Sequence, residues 1–214
     1  MLNVLTIEIL QATGQTAYMV LLSMIGAIIL GWPLGTWLYV TEKLHPNRFI
    51  AKILNVLINT SRSIPFIIFM VALLPLTRWL LGSAIGLHAA IVPLTLGATP
   101  LFARLTAQAY EQIPDGIIEC AYSIGAKPRQ MIQNMFFKET LPLLIDAMTM
   151  TAITLVGYSA MAGVIGGGGL GDLAIRYGYQ RFDTNIMCIT IVILISMVQF
   201  IQWLGQTIRK KIQH

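Results

Sequence analysis

An all-α integral membrane protein with five transmembrane helices is the fold class this sequence predicts, on three observations. The chain is 56% hydrophobic and only 11% charged, where a soluble domain carries roughly 25% charged residues. Its mean hydropathy is +0.74. Its apolar stretches run for about 20 residues or more, the length a helix needs to cross the hydrocarbon at about 1.5 Å per residue. Lipid cannot satisfy backbone N–H and C=O groups, so helices are preferred, and a barrel would need alternating segments of about ten residues.

The first span covers about Ala17 to Val40 and carries no charge. The second, about Ile53 to Thr77, contains Arg62, which either snorkels toward the cytoplasmic surface or pairs across a cavity or a dimer. The third covers about Trp79 to Ala103 and includes His88, read as a hydrogen-bonded packing residue because no second ligand sits at metal-binding spacing. The fourth runs from about Ala147 to Gly166 and the fifth from about Thr184 to Ile208. Five spans do not divide into two equal inverted repeats within one chain. A homodimer would supply the missing symmetry, with a pathway on the two-fold axis. Cys120 and Cys188 fall in different segments and suggest neither a disulfide framework nor a metal site, so both read as small apolar fillers.

Orientation follows from lysine and arginine. No Lys or Arg precedes Lys43, so the N-terminus lacks the basic region of a cleavable signal peptide. With the N-terminus outside, the inner segments hold Lys43, Arg48, Lys52, Arg62, Arg104, Lys127, Arg129, Lys138, Arg209, Lys210 and Lys211. The outer segments hold only Arg78, Arg176 and Arg181, a clear positive-inside bias. The basic pI of about 9.4 is therefore a topology signal more than a nucleic-acid footprint.

This topology puts the polar segment at about residues 111–142 in the cytoplasm. Asp115, after Pro114, is the expected N-cap of a short helix that ends at Gly125, a residue suited to a left-handed C-cap. Pro128 suits the first turn of a second helix. On that helix Ile132, Met135 and Phe136 form one apolar stripe opposite Arg129, Gln130, Gln133 and Asn134. Such a stripe serves either an interfacial helix lying on lipid headgroups or a knob offered to a cytoplasmic partner.

The residues of this segment resemble a family pattern. Permease subunits of binding-protein-dependent ABC importers carry a loop reading E-A-A, three residues, G, nine residues, then I-x-L-P. Here Glu119-Cys120-Ala121 is followed by three residues, Gly125, nine residues and Met135-Phe136-Phe137-Lys138. Cys120 replaces the first alanine and Lys138 stands where the proline belongs, while Pro142 matches a second proline common in these loops. The flanks "RSIPFIIFMVALLPLTRWLLGSAIGLHAAIVPLTLGATPLFARL" and "TAITLVGYSAMAGVIGGGGLGDLAIRYGYQRF" look like the methionine-import branch, and with the loop they cover about Arg62 to Phe182.

The resemblance implies a single permease domain over 1–214 in the bacterial inner membrane, with N-terminus outside and C-terminus cytoplasmic. It implies a homodimer, two copies of a cytoplasmic ATPase subunit and an extracytoplasmic methionine-binding protein. The loop between helices 3 and 4 would be the coupling helix seated in the ATPase, carried by Glu119, Ala121, Gly125, Ala126, Lys127 and Pro128. No Gly-x-x-x-x-Gly-Lys-[Ser/Thr] occurs in the chain, so ATP energy must enter through another subunit and no cofactor is expected on this one.

Other motifs carry less. "GGGGLG" (Gly166 to Gly171) follows a membrane span rather than a strand and reads as a flexible turn with close backbone packing, or as an outer gate. "GLGD" resembles the motif of intramembrane aspartyl proteases, whose chemistry needs two facing carboxylates. Asp172 and Asp146 would be that pair, but they lie near opposite ends of the fourth span. A membrane-embedded hydrolase and a secondary transporter without an ATPase are the alternative readings. A thioether substrate favours soft apolar walls. Tyr158, Ser159 and Met161, mid-span in the fourth helix, are the candidate pathway residues, with helix packing as their other explanation.

Overall fold

The computed structural model describes residues 2–213, the side chains at 2–5 and 134 excepted. Among the described residues every regular element is helical. Among the described residues four helices are long and apolar enough to cross a membrane, or five if the bent pair Arg48–Ser63 and Phe66–Ala72 counts as one span.

Helix α1 (Leu2–Tyr39) continues through a π-helical turn at Val40–Leu44. It begins well before the expected Ala17, because the polar residues that end the apolar run are used in packing. Gln15 Oε1 and Thr16 Oγ1 accept the backbone N–H groups of Gly169 and Leu170, each at 2.9 Å. Helix α2 (Arg48–Ser63) is capped by the Asn47 side chain, which accepts from the N–H groups of Phe49 and Ile50.

The second span departs from a single helix over Ile53 to Thr77. Residues ahead of proline avoid helical backbone, and Ile64 is extended (φ −82°, ψ 127°) in front of Pro65. The chain turns by 105° there into α3 (Phe66–Ala72) and then α4 (Leu74–Leu81).

The third span is α5 (Leu87–Glu111) rather than Trp79 to Ala103. Gly82 (φ +76°) and Gly86 (φ +116°) end the helix after Leu81, a break inside an apolar stretch. At the other end Arg104 stays inside the helix because its Nη1 donates to Asn55 Oδ1 at 3.2 Å. Asn55 Nδ2 in turn donates to the Glu42 carboxylate, so a polar relay joins α1's end, α2 and α5.

Helix α8 (Phe137–Val164) starts ten residues ahead of Ala147 and leads through the glycine run into α9 (Gly169–Leu173) and a π turn at Ala174–Tyr179. Helix α10 (Thr184–Ile212) is capped by Asp183, whose Oδ1 accepts from Asn185 and Ile186. Cys120 and Cys188 are both exposed, so neither is a core filler.

Helices α1 and α5 approach closely through small residues. Gly31 and Gly35 permit it: a Cβ on Gly31 would stand 2.9 Å from the Thr99 carbonyl oxygen, and one on Gly35 would overlap the Ala103 backbone. Gly35→Leu is expected to lower the thermal midpoint of the detergent-solubilised chain, since overpacking costs about 1–3 kcal/mol or more. Gly14→Ala, facing open space, is the control and should leave the midpoint in place. The main core gathers Met19 and Ala27 of α1, Phe66 and Met70 of α3, Leu94 and Ala98 of α5, and Leu155 and Val156 of α8.

Candidate functional site

Two regions carry the candidate residues, a helical loop at one end of the bundle and a cavity halfway along it. The loop begins with α6 (Asp115–Ser123), whose N-cap is Pro114 rather than Asp115. Asp115 sits in the first turn, where a carboxylate still favours the positive end of the helix dipole. At the other end Gly125 is left-handed (φ +70°), as expected. Its N–H donates to the Tyr122 carbonyl at 2.9 Å, and the Ala126 N–H reaches the Ala121 carbonyl at 3.0 Å, which together complete a Schellman motif. Pro128 opens α7 (Pro128–Gln130), with the Lys127 N–H donating to Gln130 Oε1 at 2.9 Å. A π-helical turn, Met131–Phe136, then runs straight into α8.

Of the apolar stripe of this segment, Phe136 turns into the bundle, together with Met131. Hydrogen bonds i to i+5 put Met131 and Phe136 on one face, and both are fully buried. Phe136 packs on Tyr39 and Tyr110, with ring centroids 6.1 and 6.5 Å away. Ile132 and Met135 are only partly covered at the edge of that cluster. Arg129, Gln130 and Gln133 are exposed as expected, and the side chain of Asn134 lies outside the described residues. The Tyr122 hydroxyl donates to the Leu44 carbonyl at 3.0 Å, and Trp32 Nε1 donates to the Tyr110 hydroxyl at 2.9 Å. The loop is thereby fixed to the same-side ends of α1 and α5.

Among the predicted loop residues, Ala121 is fully buried and explains why that position must be small. Glu119, Gly125 and Lys127 are exposed, while Ala126 and Pro128 are half-buried. A hollow of about 410 Å³ opens beside the turn, lined by Ile124, Gly125, Ala126, Gln130 and Met135.

The three predicted pathway residues of α8 diverge. Tyr158 lines a cavity of about 240 Å³ with Ser61, Arg62, Ile64, Phe66, Phe69, Gly97, Leu101 and Thr154. Its ring stacks on Phe66 at 4.0 Å between centroids and an interplanar angle of 1°. Ser159 is buried and donates to the Val156 carbonyl at 2.7 Å, so it faces the packing. Met161 is exposed and lies outside the cavity lining. Sequence reading missed the contribution of the α2–α3 bend; Pro65 was the signal that pointed to it.

The two aspartates do not face each other. Asp172 accepts from Arg176 Nε at 2.7 Å, and Asp146 pairs with Arg209 Nη1 at 2.6 Å. The glycine run is a tight packing device: a Cβ on Gly163 would overlap the Asp172 backbone, and one on Gly171 the Ala160 backbone. Nearby, a hydrogen bond from Tyr177 to Glu8 holds the tyrosine hydroxyl above its usual pKa. His88 lies 3.4 Å from the Tyr18 hydroxyl through Nδ1, a packing contact between α5 and α1.

Comparison with known proteins places these features in a family. The family described as "Binding-protein-dependent transport system inner membrane component" matches residues 27–214. The chain is 46% identical over 208 residues to a probable D-methionine transport system permease of Vibrio cholerae, covering 96% of this chain and 92% of that one. It is 44% identical to the corresponding Haemophilus influenzae protein, covering 95% and 96%. An inward-facing structure of the MetNI methionine ABC transporter superposes with a TM-score of 0.92 at 39% identity, covering 97% of both chains.

Proposed function

Because the chain belongs to the family of binding-protein-dependent transport system inner membrane components, we propose that it is the methionine permease of an ATP-driven importer. It acts as a homodimer, with two copies of a separate ATPase on the cytoplasmic side and an extracytoplasmic methionine-binding protein on the other. Hydrolysis belongs to the ATPase, since this chain has no P-loop.

The observation that carries this reading is the loop between α5 and α8, a preformed knob with its own caps and a core fixed to two membrane helices. In this role Gly125 sets the turn, Ala121 and Ala126 pack behind it, Pro128 starts the second helix, and Glu119 and Lys127 offer charge to the ATPase. The reading is tested by purifying the chain from its native membrane in mild detergent. A P-loop ATPase should copurify at equal stoichiometry. A chain that arrives without one, and supports uptake from an ion gradient alone, would be a secondary transporter instead.

The N-terminus lies outside and the C-terminus inside. The ends of α1 and α5 meet the loop in one cluster, and the basic residues Lys43, Arg48 and Lys127 fall on that side. A membrane-impermeant thiol reagent should reach Phe182→Cys, at an exposed position, from outside intact cells, in a background lacking Cys120 and Cys188. Lys127→Cys should react only in inverted vesicles. Reversed labelling would overturn the topology.

A further inference from the structure

We propose that the cavity at the α2–α3 bend binds the α-amino-acid zwitterion: Arg62 and the Tyr158 hydroxyl take the carboxylate, and the Ser61 and Thr154 oxygens take the ammonium group. This deepens the permease reading and rests on it.

The first argument is depth. Gly97 and Leu101 of the lining stand ten residues from either end of α5 (Leu87–Glu111), so the cavity straddles the midpoint of a membrane helix. The bend at Pro65 sets Arg62 on the wall of this cavity, which favours the second of its two sequence readings, pairing across a cavity, over snorkelling. A guanidinium at mid-membrane is expensive unless it faces a cavity and meets an anion, and such residues mark substrate paths. Arg104, Arg176 and Arg209 each have an acceptor side chain. Arg62 has none among the described residues, and it borders a cavity.

Donor and acceptor accounting gives the ligand its polarity. Ser61 Oγ donates to the Leu57 carbonyl at 2.8 Å, and Thr154 Oγ1 donates to the Met150 carbonyl at 2.9 Å. Both protons are committed, so these oxygens present only lone pairs to the cavity, suited to a cationic donor. The Tyr158 hydroxyl makes no hydrogen bond among the described residues and keeps its proton for an acceptor. Together with Arg62 it forms a charge-assisted pair of donors for a carboxylate.

The remaining wall is apolar. Phe66 lies flat on Tyr158, and Gly97 makes room for it, since a Cβ there would stand 2.9 Å from Phe66 Cε2. With Phe69 this surface receives an uncharged side chain, thioethers included.

The test uses the full chain purified in detergent, without ATPase or binding protein, and equilibrium dialysis with methionine, methioninamide and N-acetylmethionine. The wild type should bind methionine at least tenfold more tightly than either blocked analogue. Arg62→Gln should weaken methionine binding at least tenfold and abolish the preference over methioninamide. Tyr158→Phe, which keeps the stack, should lose affinity in the same direction by a smaller factor. Arg62→Lys should recover part of the preference, with an unchanged gel-filtration profile for every variant.

The site assignment is overturned if the wild-type chain binds methionine no better than its amide, or not at all. It is also overturned if Arg62→Gln discriminates like wild type, or if Arg62→Gln splits the dimer, which would make Arg62 a contact between copies. The permease reading is judged separately, by methionine uptake into vesicles holding the wild-type chain with its ATPase and binding protein. Failure there sinks that reading whatever the dialysis shows.

Discussion

Gly125→Val is expected to abolish ATP-driven methionine uptake while leaving membrane insertion and dimerisation intact. The left-handed backbone at this residue (φ +70°) costs an L side chain about 1–2 kcal/mol, more for a β-branched one. Nothing lies within 4 Å of the Cβ position, so the penalty is in the backbone and not in a collision. Relaxing that strain breaks the hydrogen bonds from Gly125 and Ala126 that close α6, and the turn loses its shape. Asparagine tolerates the left-handed region, so Gly125→Asn should keep most of the uptake, with Gly125→Ala in between. Uptake and ATPase copurification measured for the three variants should follow that order. Wild-type values for Gly125→Val would mean that the loop's shape is irrelevant to coupling.

Phe136→Ala is the second large effect, and it acts on stability. This ring is fully buried between Tyr39 and Tyr110, and removing such a side chain costs about 3–5 kcal/mol through lost transfer energy and the cavity left behind. That is a large fraction of a domain's stability. The cluster around this ring should loosen, seen as protease sensitivity between Glu111 and Pro142 and as a lower thermal midpoint. Gln133→Ala, exposed on the same π turn, should change the midpoint by less than about 0.5 kcal/mol equivalent. Equal behaviour of the two variants would contradict the inward face assigned to this turn.

The contrast between those two variants also marks where sequence reading stops. Gly125, Pro128 and the five apolar regions were legible because each rests on a local rule, such as a missing Cβ, a missing N–H or the thickness of a bilayer. The phase of the stripe was not legible, because a 3.6-residue period was assumed where the backbone adopts i to i+5 bonding, which rotated Met131 into the core. Span limits slipped for a related reason. Hydropathy ended the third span at Ala103, yet Arg104 finds Asn55 across the bundle, and no local signal reveals a partner 49 positions away. The same holds for Gln15 and Thr16, polar residues that cap a glycine run at the opposite end of the chain. Tyr158 was singled out from the sequence and lines a cavity, but its neighbours Arg62 and Phe66 come from a bend whose 105° angle depends on tertiary packing.

The π turn at Met131–Phe136 has a mechanical meaning. It joins α7 to α8 with no intervening loop, so Pro128 to Val164 is one uninterrupted helical rod. A rod of that kind transmits torque. One end carries the turn proposed to meet the ATPase, Tyr158 lies six residues from the other, and that far end is locked to α9 through Gly163 and Gly171. In the proposed permease, a tilt applied at Lys127 would swing the Val164 end the opposite way about the contact with α5. In that permease the two mouths of the pathway would be geared to one lever, so that opening one displaces the other.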